Sequence, residues 1–220
     1  MSTPSILTPL QRDFLRAFFA HSPGQTFFLT GGTALAEFYL HHRYSEDVDL
    51  FTLERDSLDA MERDLPNIAA EIGCTWSQKI KVVDFRSVIL QRPSEPSLKI
   101  DLVRDVGPQF GEHRRFGNIV VDSQLNIAVN KLTALFGRAA PKDFVDLYFI
   151  LKQGTRLDEL MEFAKEKDPG FSGFYLAGMM WEIEKDRALP RMIQPITIEE
   201  LRAFFIPLAE QLMLKLKPRE

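Results

Sequence analysis

The chain has 220 residues, 45% of them hydrophobic, and a formal net charge of −4. This length and apolar content fit one large domain or a compact pair with a real core, and exclude a disordered chain. Interspersed, slightly acidic charge excludes a global pull on nucleic acid, so such a partner needs a local basic patch, and the single cysteine, Cys74, excludes an internal disulfide framework and reads as packed apolar volume. The opening MSTPSILTPL lacks the basic and apolar regions of a signal peptide, and no apolar run approaches the roughly 20 residues of a membrane span. A cytoplasmic protein without a membrane partner is expected.

Thr8-Pro9-Leu10-Gln11 combines a capping-box pattern with proline at the first helical position, and Leu10, Phe14, Leu15, Phe18 and Phe19 supply a buried stripe. That helix should end near Pro23-Gly24. Phe27, Phe28 and Leu29 then read as a short buried strand that breaks at Gly31-Gly32. Ala34, Leu35, Phe38, Tyr39 and His42 recur at helical spacing, which places Gly31, Gly32 and Thr33 at a helix start, where bare N–H groups favour an anion. Asp47-Val48-Asp49-Leu50-Phe51 reads as the next strand, with both carboxylates on one face and Val48 and Leu50 in the core. A helix over 57–73 follows, interrupted or restarted at Pro66. Residues 75–91 are β-rich in two pieces, and Leu98-Lys99-Ile100-Asp101-Leu102-Val103 alternates as a further strand, which bears an acidic group.

Residues 109–118 form an irregular basic segment holding His113, Arg114 and Arg115. Beyond it the pattern is helical, with helices expected over 123–138, 142–152, 157–167, 171–187 and 198–216, the last opened by a Thr197/Glu200 capping box. The expected organisation is therefore an α/β part over 1–121 followed by an all-helical part over 122–220.

The chemistry lies in a conjunction of a glycine turn, paired aspartates on the next strand and a third strand-borne carboxylate. Two aspartates on one face repel, and hard oxygen ligands of this kind suit Mg2+ held together with substrate phosphates. Lys131 and Arg138 lie seven residues apart, about 20° apart around a helix, and so project from one side, where they could clamp a triphosphate. Asp143 falls in the first turn of its helix, whereas Asp146 sits among apolar neighbours and needs a partner, with Lys131, Arg138 or a ligand group the candidates. Arg43 and Ser45 flank the acidic strand, and His21, His41, His42 and His113 show no zinc-ligand spacing.

The order Gly31-Gly32-Thr33, Asp47-x-Asp49 and Asp101 resembles the nucleotidyltransferase superfamily related to DNA polymerase beta. GGTALAEFYLHHRYSEDVDLF is similar to the signature of the AbiEii-type nucleotidyltransferases, toxins of abortive-infection and type IV toxin–antitoxin systems, and NIAVNKLTALFGRAAPKDFVDLYFIL resembles that family's later motifs. The helices beyond Lys152 carry no motif of it. The resemblance implies an α+β fold, a nucleotidyltransferase-type mixed sheet flanked by helices, with the helical part lending a Lys/Asp motif to the active site.

It further implies metal-dependent transfer of an NMP from an NTP to a hydroxyl acceptor, the acceptor being RNA at a tRNA 3′ end. Asp47, Asp49 and Asp101 would hold Mg2+ or Mn2+, and Lys131 would act with them in catalysis. Gly31, Gly32, Thr33, Arg43, Ser45, Lys131, Arg138, Asp143 and Asp146 would serve the nucleotide, with Arg43 contacting phosphate or orienting an aspartate. Lys79, Lys81, Arg86, Arg114 and Arg115 are candidate contacts to an RNA backbone. An antitoxin protein is an expected partner. The alternatives are an idle NTP-binding module that acts through RNA or protein binding, and a transferase acting on a protein or small molecule.

Overall fold

In α1 (Pro9–Ala20) the Thr8 hydroxyl accepts from the Gln11 N–H at 3.2 Å and the Gln11 side-chain oxygen accepts from the Thr8 N–H at 2.9 Å, which closes the expected capping box. The buried face of this helix packs ring on ring, with Phe18 5.5 Å from Phe14 and edge-on to Phe27 at 5.4 Å. A computed structural model describes residues 4–185 and 188–216 of the chain, which falls into two compact units.

The first unit comprises Met1–Tyr39, Tyr44–Gly107 and Gly111–Ser123. Among the described residues its sheet has seven strands: β1 (Phe27–Thr30), β2 (Val48–Thr52), β3 (Thr75–Val82), β4 (Phe85–Gln91), β5 (Leu98–Arg104), β6 (Arg114–Phe116) and β7 (Ile119–Val121). Their order is β3-β4-β5-β2-β1-β7-β6. β2 runs parallel to β5 and β1 parallel to β7, while the other neighbours are antiparallel, so the sheet is mixed and the fold class α+β, as expected. Strand alternation decides the two faces. Val48, Leu50, Ile100 and Leu102 are fully buried on one of them.

On that apolar face lies α3 (Ser57–Glu71), whose Asp59 and Glu62 hold Arg86, the β4 residue in register with Leu102. α3 runs through Pro66 without a break. The buried stripe Leu58, Met61, Leu65, Ile68 and Ala69 spans the proline, whose own side chain is exposed, and this packing outweighs the roughly 3 kcal/mol that a mid-helix proline costs. The basic segment expected to be irregular contains a hairpin, β6 paired with β7 around Gly117, whose φ is +62°. A three-residue strand exposed throughout leaves no alternation to read.

α2 (Gly31–Leu35) follows β1 and continues as a π-helical turn over Ala36–Leu40. The second unit comprises Leu40–Arg43, Pro108–Phe110 and Gln124–Glu220. Its helices are α4 (Gln124–Arg138), α5 (Pro141–Lys152), α6 (Leu157–Lys167), α7 (Gly173–Trp181, with a 3-10 turn over Glu182–Lys185) and α8 (Ile198–Leu216). The helix expected over 171–187 thus stops short as an α-helix, and its final two positions lie outside the described residues. Thr197 and Glu200 form the expected capping box, the Glu200 N–H donating to the Thr197 hydroxyl at 3.1 Å and the Thr197 N–H to the Glu200 carboxylate at 2.7 Å. Phe144 meets Phe205 edge-on at 5.1 Å in the core of this unit. Among the described residues no helix is long and apolar enough to cross a membrane.

Candidate active site

On the face opposite Val48 and Leu50, four polar residues stand at one level across four neighbouring strands. Ser87 of β4 pairs with Asp101 of β5, Asp101 with Asp49 of β2, and Asp49 with Thr30 of β1. Partners in register share a face, so two carboxylates lie side by side on parallel strands, about 4.8 Å apart at the backbone. Asp47 directly precedes β2. The row continues to Asp122, buried just after β7, which accepts from the Thr30 hydroxyl at 2.6 Å. Nothing in the sequence marks Asp122 as more than an element boundary; only the register brings it into line.

The glycine turn fits under this row. Gly31 has a φ of +68°, and a Cβ there would stand 2.1 Å from Asp49 Oδ2, so only glycine supplies both the left-handed backbone and the room. Gly32 and Thr33 follow, both buried in the first turn of α2. The Thr33 hydroxyl donates to the Asp47 carbonyl, which ties the helix start to the acidic strand. From the other side, the Gln11 side-chain amide donates to the carbonyls of Ser45 and Glu46 at 2.8 and 3.2 Å, and so fixes the loop that leads into Asp47.

Asp101 is engaged at both oxygens: Ser87 donates to Oδ1 at 2.6 Å and the Lys99 ammonium binds Oδ2. Burial pulls the Lys99 pKa down, but the hydrogen bond to Asp101 and the charges of Asp101, Asp47 and Asp49 outweigh it and leave the ammonium above the usual lysine value. Lys99 thus feels the charge of all three carboxylates. Among the described residues they are not closed into a three-ligand metal cluster, and Asp101 is turned to Lys99 and Ser87. The donor set itself, hard oxygens from adjacent strands, fits a divalent cation of the Mg2+ or Mn2+ type. Lys99 was legible in the sequence, since it lies two residues before Asp101 and hence on its face.

The remaining expected site residues gather within the second unit around Asp146. This fully buried carboxylate accepts from Arg43 Nε at 2.6 Å and Nη2 at 2.8 Å, from Lys131 Nζ at 2.7 Å and from His42 Nε2 at 2.7 Å. Burial alone would raise its pKa, but Lys131, Arg43 and His42 together drive it well below the usual carboxylate range. His42 is itself fully buried, and that burial lowers its pKa, so the ring is neutral and donates through Nε2; Nδ1 has no hydrogen-bond partner in the structure. Asp143 is buried as well, held by Arg138 at 2.7 and 3.0 Å with Lys131 Nζ 3.8 Å away. Arg43 follows an irregular stretch and bridges to Met192.

Two of the basic residues expected to meet RNA are already committed. Arg86 is 5% exposed and bonded to Glu62, Asp59 and the carbonyls of Val82 and Phe85, while Lys81 pairs with Glu62 at 2.6 Å. Arg115 remains exposed on β6, and Arg114 lies over the Tyr39 ring at 5.8 Å.

A mixed sheet with registered aspartates beside a glycine turn defines the class: this is a nucleotidyltransferase. The fold is shared with a candidate nucleotidyltransferase from H. pylori, at a TM-score of 0.60 and 20% identity over 96% of each chain. It is also shared with MenT4, a nucleotidyltransferase toxin from Mycobacterium tuberculosis H37Rv, at a TM-score of 0.54 and 12% identity over 93% of this chain and 83% of that one. An uncharacterized protein of Aquifex aeolicus (strain VF5) is 27% identical over 170 residues, 71% of this chain and 73% of its own. The family model described as nucleotidyl transferase AbiEii toxin, type IV TA system, matches residues 13–216, and the chain belongs to that family.

Proposed function

We propose that the acidic face of the first unit transfers an NMP from an NTP to a hydroxyl of RNA, with the 3′ end of tRNA as the acceptor, and that this is how the protein acts as a toxin. The observation that carries the reading is the register of Asp49 with Asp101 over the Gly31 turn. A divalent cation held by Asp47, Asp49 and Asp101 would neutralise the triphosphate and polarise the reacting phosphoryl group. Gly31, Gly32 and Thr33 offer first-turn N–H groups to the phosphates, while the Thr33 hydroxyl keeps Asp47 in place. Ser45 acts through its carbonyl, which anchors the loop before Asp47. Asp101 accepts the proton of the attacking hydroxyl, and the Ser87 hydroxyl steadies it at one oxygen.

Within the second unit Arg43 orients Asp146, and Asp146 and Asp143 hold Lys131 and Arg138 as paired cations. RNA backbone contact falls to Arg114 and Arg115 on β6, together with Lys79, and not to Arg86 or Lys81. The expected setting is the cytoplasm, with an antitoxin as partner. Incubating the protein with labelled NTPs, Mg2+ and total RNA tests the reading. Label should pass to RNA with the wild-type chain and vanish with Asp49→Ala. Nucleotide binding without transfer to any acceptor would overturn it in favour of an idle binding module.

A further inference from the structure

We propose that Lys99 is a built-in counter-ion of the acidic face, and that a divalent cation binds there by displacing it, so that Lys99 sets the affinity of the site for its metal. The inference rests on the reading above that this face holds such a cation.

Lys99 and Asp101 are two residues apart on β5 and therefore point to the same side, toward the row that contains Asp49. Its ammonium holds Asp101 Oδ2 while Ser87 holds Oδ1, so a metal approaching Asp101 meets oxygens that are both already engaged, one of them by a positive charge. The Ser87 hydroxyl sits on a buried strand position, and Ser87 pairs with Asp101 in the sheet register, so it stays with the carboxylate. Lys99 is the partner that can leave. Its side chain is 43% exposed, and a four-carbon stem swings into solvent without any backbone movement. An ammonium and a dication on the same carboxylate also repel, so the two compete for the position.

A lysine here has a physical use. Carboxylates crowded on adjacent strands destabilise a sheet through like-charge repulsion, and one internal cation offsets this while the chain folds. The acidic face thus tolerates its own charge before any metal arrives, at the expense of metal affinity.

The test measures Mn2+ binding to the full chain, by the loss of the free-ion paramagnetic resonance signal, for wild type, Lys99→Met, Lys99→Arg and Asp49→Asn. Removing the partly exposed positive charge of Lys99 should tighten binding about tenfold in Lys99→Met, whereas Lys99→Arg should stay within about twofold of wild type. Melting curves add a second readout that does not involve turnover. Without Mn2+ the Lys99→Met chain should melt below wild type, and saturating Mn2+ should raise its melting temperature by more. Binding that Asp49→Asn abolishes but Lys99→Met leaves unchanged or weakens overturns the counter-ion role alone. Wild-type chain with no Mn2+ binding that Asp49→Asn removes overturns the metal reading, and this inference with it.

Discussion

Replacing Asp146 with alanine should cost the chain about 3–5 kcal/mol of stability. The size follows from what the carboxylate leaves behind. Arg43 is bound to it through two nitrogens and Lys131 through one, and both cations are nearly inaccessible to water, so losing Asp146 strands Lys131 in the interior and takes from Arg43 its two-point carboxylate partner. Asp143, 3.8 Å from the lysine and already bonded to Arg138, replaces little of the lost attraction. A domain of ordinary stability holds about 5–15 kcal/mol, so the variant keeps a folded baseline but unfolds early. Urea denaturation followed by circular dichroism measures this as a fall in midpoint at constant slope. The double variant Asp146→Ala with Lys131→Met removes the stranded cation and should regain part of the loss, a coupling of about 1–3 kcal/mol. A loss below about 1 kcal/mol at unchanged slope, or strictly additive single variants, would show that the cluster does not hold the second unit together.

Gly31→Ala should eliminate NMP transfer while lowering the melting temperature only modestly, because the new methyl displaces the Asp49 carboxylate at a turn that otherwise survives; wild-type turnover would refute the close approach. Asp101→Ala should abolish transfer yet spare much of nucleotide binding, as judged by equilibrium dialysis with a labelled NTP, and a variant with normal turnover removes Asp101 from the mechanism. Two of the paired histidines, His21 and His42, should show opposite pH dependence. His21, bonded to Glu71 at 3.0 Å and Asp64 at 2.7 Å, has its pKa raised chiefly by the hydrogen bond to Glu71, against the opposing pull of burial. Its stabilisation is therefore fully present below about pH 6.5 and lost as pH rises through the higher folded value. Buried His42 has a lowered pKa, so below about pH 6.5 the unfolded chain takes up a proton that the folded chain refuses, and stability falls as pH falls. Denaturation midpoints of His21→Ala and His42→Gln, each compared with wild type from pH 5 to 9, should diverge with slopes of opposite sign; parallel curves would contradict the assignment.

Elements whose signals are local could be read from the sequence. Thr8 with Gln11 and Thr197 with Glu200 mark helix starts by chemistry within four residues, and the alternation of Leu98 to Val103 marks β5 without help from any neighbour. The motif residues were legible as well, because Gly31, Asp49 and Lys131 sit in runs that match the family over most of the chain. What was hidden depends on register between strands remote in sequence. That Ser87, Asp101, Asp49 and Thr30 share one level follows from how β4, β5, β2 and β1 slide against one another, and no single strand contains that information. The partners of Asp146 were half visible: Lys131 lay in the neighbouring motif, but His42 and Arg43 come from a segment about a hundred residues earlier. Pro66 misled because a breaker is read locally, whereas the stripe that carries α3 through it is a tertiary effect.

Gln11 uses the two ends of one amide for unrelated tasks. Its oxygen receives the chain at the mouth of α1, and its nitrogen grips the loop before Asp47. The aim of the acidic strand is thereby inherited from the opening of the polypeptide, and glutamate at position 11 would separate the two inheritances. The helix would still begin, for an acceptor remains, but oxygen would face oxygen at Ser45, and the protein would stay well folded while Asp47 drifts off its mark.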